Sequence, residues 1–271
     1  MGIDVREIWN FDDPVESEQK FREALQTRDF TPNEQLEIWA QIARTFSLRR
    51  DRVNCHAILN EHWENAMTAG GRPKACFELE KGRGFRSGGE GLAAVPFFEA
   101  AAQSEVDDLR IDAIHMLAID AEPDEATRLN LVALEQARSS SHPWAQRWQG
   151  TLCNNLGWTA FDQCRYDEAI VRFQDALVER EKYGNAGAIR IAKWCLARAY
   201  RAKGDLDEAF AMQKALKDAG GDGFVDEELG EILLEKGDAE AAKPFFRAAA
   251  DKLEGQLGAD SERIKRMRSL S

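Results

Sequence analysis

Apolar residues recur along most of this chain in steps of three and four, the spacing of amphipathic helices. The clearest run, "NNLGWTAFDQCRYDEAIVRFQDAL" at residues 154–177, holds two such patterns separated by a polar turn. After the turn, Ala169 is followed by Phe173 and Ala176, so one helical face carries all three. The same triplet returns as Ala242, Phe246 and Ala249, and as Ala94, Phe98 and Ala101. Acidic turns lead into the helices: "PDEA" ends at Ala126, "YDEA" at Ala169 and "LDEA" at Ala209. Each sets carboxylates at the positive end of a helix.

A matching helix precedes each of these. Leu156 and Gly157 stand thirteen and twelve residues before Ala169, and Leu229 and Gly230 stand at the same distances before Ala242. Leu196 and Ala197 take these places before Ala209. Small residues on two successive helices let their backbones approach, and the large Phe fills the space between neighbouring pairs. Such a hairpin cannot bury its apolar face alone and must stack on copies of itself. The marker alanines 57, 94, 126, 169, 209 and 242 lie 37, 32, 43, 40 and 33 residues apart, so six hairpins are predicted with loops of varying length.

The fourth, fifth and sixth units resemble tetratricopeptide repeats, whose pattern is W-x₂-L-G-x₂-Y followed by A-x₃-F. The fourth supplies Cys153, Leu156, Gly157, Ala160, Ala169 and Phe173; the sixth supplies Asp226, Leu229, Gly230, Leu233, Ala242 and Phe246. The fifth keeps Leu196, Tyr200 and Ala209 but has Gln213 in place of Phe, and the pattern's Trp is missing from all three. The second unit is fainter (Gly82, Phe85, Ala94, Phe98, Ala101), the third lacks the Phe, and the first offers Ala57 behind "EIWAQIARTF". The resemblance implies an all-α, right-handed α-solenoid of about six hairpins with capping helices. We divide the chain into an N-terminal segment with a capping helix (1–32), a repeat domain (33–254) and a C-terminal cap or basic tail (255–271). The longest break, "SSSHPW" at 139–144, reads as a hinge or short linker.

Charge narrows the partners. The net charge of −12 repels nucleic acid and anionic membrane at long range. No apolar run approaches the ~20 residues of a membrane span, and "MGIDVREIWNFDDP" lacks a signal peptide's basic and apolar regions. Gly2 invites myristoylation, but Arg6 stands where that motif wants Ser or Thr. Five widely spaced cysteines, an odd number, read as reduced thiols of a cytoplasmic protein.

Catalytic and metal motifs fall away one by one. "GRGFRSGGEG" at 82–91 looks like a phosphate loop, but Ser87 holds the sixth position and the segment joins two repeat helices, where glycines make the turn. Cys55, His56 and His62 lack ligand spacing, and there is no HExxH, CxxC, G-K-[ST] or G-x-S-x-G. The expectation is a non-enzymatic protein without cofactor or metal.

In the family resembled, the first helix of each pair lines a concave groove. Aligned on the marker alanines, that face offers Arg83 in the second unit, His115 in the third, and Asn154, Asn155 and Trp158 in the fourth. The fifth adds Arg190, Trp194 and Arg198, and the sixth adds Glu231. Asparagine amides pair with an extended main chain, arginines grip carboxylates, and tryptophans give flat apolar contact. Asn155 resembles the asparagine that peptide-binding members use on the ligand backbone; the Arg–Trp pattern departs from the chaperone clamp, which also needs lysines. The same residues read equally as scaffold, with the tryptophans packed between repeats and Arg190 and Arg198 paired to Glu228 or Glu231. The expected function is capture of a peptide or protein segment in this groove by a monomer or weak homo-oligomer. A small-molecule or signalling-peptide sensor and a self-assembling scaffold are the alternatives.

Overall fold

The computed structural model describes residues 5–271, so Gly2 lies outside the described residues. Every regular element described is helical. Helix α1 (Pro14–Thr27) precedes six pairs: α2 (Pro32–Leu48) with α3 (Arg52–Ala69), α4 (Gly71–Ser87) with α5 (Gly91–Ala101), and α6 (Asp107–Ile119) with α7 (Pro123–Ser139). After the short α8 (Pro143–Gln146) come α9 (Trp148–Asp162) with α10 (Tyr166–Tyr183), α11 (Ala186–Lys203) with α12 (Leu206–Asp218), and α13 (Gly223–Glu235) with α14 (Ala239–Leu257). Helix α15 (Glu262–Ser269) ends the chain. The chain forms two compact units, residues 1–148 and 149–271, each a stack of three pairs.

Local signals set the helix ends. Thr31 and Glu34 close a capping box on α2, and Asp51, Asn185, Asp222 and Asp238 cap α3, α11, α13 and α14 through their side chains. Gly204, at φ +96°, closes α11 in the left-handed conformation that suits glycine.

The predicted Gly–Phe contact is the packing unit of the fold. Phe98, Phe173 and Phe246 are fully buried, and each lies against a first-helix glycine. A Cβ on Gly82 or Gly157 would fall 2.5 Å from the facing ring of Phe98 or Phe173, and one on Gly230 would fall 3.0 Å from Phe246. Gly82 and Gly84 therefore belong to helix packing, Gly84 against His56, and not to a turn. The turn expected across 82–91 is confined to Gly88–Glu90, because α4 continues to Ser87.

Where the Phe is absent, a buried amide replaces it. Gln213 is fully buried with neither amide atom hydrogen-bonded, and Asn130 is buried with Nδ2 donating to the Ala126 carbonyl while Oδ1 has no partner. In repeat register Ala197 faces Gln213, so its methyl occupies the space that glycine leaves for a ring elsewhere. An unpaired buried amide group destabilises by about 1–3 kcal/mol. Gln213→Phe alone is expected to destabilise by overpacking against Ala197. With Ala197→Gly added, the chain is expected to become more stable than wild type by about 1–2 kcal/mol, since regained apolar burial outweighs the ~1 kcal/mol helix penalty of glycine. Urea denaturation of the four-member cycle checks this; a double variant no more stable than Gln213→Phe alone would refute the register.

Candidate functional site

In the unit of residues 149–271, α9 and α11 bring one group of predicted residues together. Leu156, Gly157 and Ala160 of α9 face the core, which leaves Asn154, Trp158 and Phe161 on the adjoining face. On α11 the same division buries Cys195, Leu196 and Ala199 and turns Arg190, Trp194, Arg198 and Arg201 to the other side. The rings of Trp158 and Trp194 lie 6.2 Å apart, and Phe224 of α13 continues the wall at 6.5 Å from Trp194, whose Nε1 donates to the Phe224 carbonyl at 3.3 Å.

Arg198 stands in front of this wall. Its guanidinium carbon is 5.6 Å from the Trp158 ring, 5.7 Å from Phe161 and 5.3 Å from Trp194, distances at which a cation is held by the rings' negative faces. Its Nε has no hydrogen-bond partner, and Glu228 approaches only to 3.7 Å. Glu228 is instead gripped by Arg201 through two bonds of 2.8 and 3.2 Å, and Arg201 also reaches Glu235 at 2.6 Å. Burial disfavours the Arg201 charge, but these carboxylates outweigh it and hold the group firmly protonated. Part of the expected ladder therefore forms, with Glu228 3.7 Å from Arg198 and bonded by Arg201, while Arg198 Nε keeps unmet donor capacity. One turn before Trp158, Asn154 Oδ1 is buried with no partner.

The other predicted residues sit elsewhere. Asn155 is half-buried and its carbonyl accepts from Thr159 Oγ1 at 3.1 Å; Arg190 is exposed one turn before Trp194. Glu231 is bound by both terminal nitrogens of Arg266 on α15, and Arg263 of the same helix takes Glu227 through Nε and Nη2. The basic tail therefore neutralises the acidic first helix of the sixth unit. In the unit of residues 1–148, Arg83 is held between Glu80 and Asp112. His115 lies 5.2 Å from the Trp148 ring, and burial lowers its pKa, which favours the neutral imidazole. Phe224 escaped the sequence reading because it precedes the recognisable "EELG" of its helix.

Among the described residues no group of three or more His, Cys, Asp or Glu gathers as a metal site, and no helix is long and apolar enough to cross a membrane. None of the five cysteines is in a disulfide, and only Cys164 is exposed. Burial, assisted by the Glu80 charge, pushes the Cys55 thiol up to about 12; burial pushes Cys195 to about 11 and raises Cys76 further still. Ellman titration of the native chain at pH 8 is expected to give one fast thiol, and five after denaturation, because buried protonated thiols are poor nucleophiles. Two or more fast native thiols would contradict the packing.

Paired helices locked by Gly–Phe contacts, with an aromatic and arginine face on their first helices, define an all-α helical-repeat protein. Residues 151–268 match the model of the tetratricopeptide repeat-like domain, a fold typical of protein–protein interaction modules. Among solved structures, apo RapI aligns with TM-score 0.69 at 13% identity, covering 98% of this chain and 82% of that one. A tetratricopeptide repeat protein from Parabacteroides merdae aligns with TM-score 0.56 at 14% identity, over 98% and 96% of the two chains. NprR in complex with its cognate peptide NprX aligns with TM-score 0.54 at 14% identity, over 100% and 83%. At these identities the likeness is one of fold. No curated protein matches the chain.

Proposed function

We propose that this chain is a non-enzymatic binding protein that captures a peptide or protein segment on the α9–α11 face of residues 149–271. The observation that carries the reading is the pair of polar atoms left without partners beside an aromatic wall: Asn154 Oδ1 and Arg198 Nε. Buried polar atoms are nearly always paired, so each retains the capacity to bond a ligand. Asn154 takes a main-chain N–H, Arg198 takes a carboxylate, and Trp158 and Trp194 give the apolar contact. NprR, which shares this fold, is found in complex with its cognate peptide NprX, which bears on the choice of a peptide over a metabolite. Asn155 and Arg190 extend the face along the two helices. Glu231, Arg83 and His115 act as scaffold, since each is already engaged within its own unit. Cysteines without disulfides fit work in the cytoplasm, and the strong negative charge fits neither nucleic acid nor membrane partners.

Selection of a random peptide library on the full chain tests the reading. Enriched sequences are expected to carry an acidic residue beside an aromatic or large aliphatic one. A library from which the chain enriches nothing would defeat it.

A further inference from the structure

The segment 82–91 has a second consequence, within the unit of residues 1–148. Its arginines line an open cavity of about 510 Å³, a size typical of small-molecule sites, whose wall includes Arg44, Arg83, Arg86, Leu48, Met116 and Asp120. We propose that this cavity is a binding site for a small organic anion, whose oxyanion head (phosphate or carboxylate) meets Arg44 and Arg86 and whose apolar body rests on Leu48 and Met116.

The surroundings of Arg44 favour an anion. Arg44 is under-neutralised: its Nε has no hydrogen-bond partner, and its nearest carboxylate, Glu80 at 3.4 Å, is shared with Arg83. Burial and the neighbouring Arg83 charge both work against the Arg44 cation, a tension that an incoming anion relieves. The stacked rings of Trp9 and Phe11 lie 5.9 and 5.7 Å from the guanidinium carbon and help to hold it in place.

The cavity already receives one carboxylate. Asp120 accepts from Arg86 Nε at 2.7 Å and Nη2 at 3.0 Å, and it lies 3.7 Å from the point a Cβ on Gly91 would occupy. Gly91 begins α5, whose first turn has no side-chain cap, so the positive end of that helix faces the same spot. The pair is open to water, with 31% of the Arg86 side chain and 55% of the Asp120 side chain exposed, and such pairs exchange readily. A soluble anion therefore competes with Asp120 for Arg86. The loop itself makes no phosphate cradle, because the N–H groups of Gly88, Gly89 and Glu90 are bonded to the carbonyls of Gly84, Arg86 and Phe85.

This competition gives a test with opposite signs on one ion pair. Phenyl phosphate and benzoate are titrated into the full chain by calorimetry at fixed ionic strength. At least one is expected to bind at millimolar concentration or below, and the tighter of the two identifies the head group. Asp120→Asn frees Arg86 and is expected to tighten binding at least threefold; Arg86→Gln is expected to weaken it at least tenfold. Both variants break the same exposed pair, so a shared effect on folding cannot imitate opposite effects on binding. The proposal is overturned if neither compound binds, or if the two substitutions shift affinity in the same direction or not at all. Loss of peptide binding at α9–α11 would leave this result untouched.

Discussion

Replacing Gly157 with alanine is expected to destabilise the chain by about 1–2 kcal/mol, although the substitution normally favours a helix by ~1 kcal/mol. The added Cβ would fall 2.5 Å from Phe173 Cε1 and 2.6 Å from Cδ1, distances that demand movement. The ring has little room to move, since Phe173 is fully buried among Ala160, Ala169, Ile170 and Leu196. Packed interiors accommodate an extra methyl poorly, so the misfit is taken up as strain. Urea denaturation checks the size, and Phe173→Leu in the alanine background is expected to recover part of the loss. Gly230→Ala should cost less, because its clash with Phe246 is milder at 3.0 Å. A Gly157→Ala chain as stable as wild type would mean that the two helices are not in this register.

Arg198→Glu is expected to weaken binding of a library-selected acidic peptide at least tenfold, about 1.4 kcal/mol or more. The loss of stability should be smaller than for Arg201→Glu, because Glu228, the carboxylate beside Arg198 among the described residues, stands 3.7 Å away and is held more closely by Arg201. Charge reversal places a carboxylate before the ligand's own and removes the cation from the faces of Trp158 and Trp194. Arg201→Glu provides the contrast: it breaks the bonds to Glu228 and Glu235 and is expected to lower stability first. Thermal melts paired with fluorescence-anisotropy titrations separate the two effects. Equal affinity for wild type and Arg198→Glu would remove the arginine from the site.

The hairpins were legible because their packing is local. Gly157 and Phe173 lie sixteen residues apart across a single turn, so a fixed spacing reports their contact. Division of α9 into a core face and an outer face was legible for the same reason. Contacts between successive first helices were not, since they span 27 to 36 residues with loops of uneven length. Arg198 and Arg201 differ by one step on α11, yet only the structure tells which one Glu228 holds. Glu231 was readable as a surface acid, but not as the partner of Arg266, because nothing in "ERIKRMRSL" fixes where α15 docks. Arg44 escaped altogether: the first unit carries a lone marker alanine, which gives no register for its first helix.

Photo-crosslinking shows whether a peptide sits on the α9–α11 face. A selected peptide carrying a photoreactive phenylalanine analogue at its apolar position is bound to the full chain, irradiated, and the adduct mapped by mass spectrometry. Attachment within residues 154–161 and 190–201, lost in Arg198→Glu, is the result this account predicts. Adducts confined to other helices, or unchanged in the variant, would contradict it.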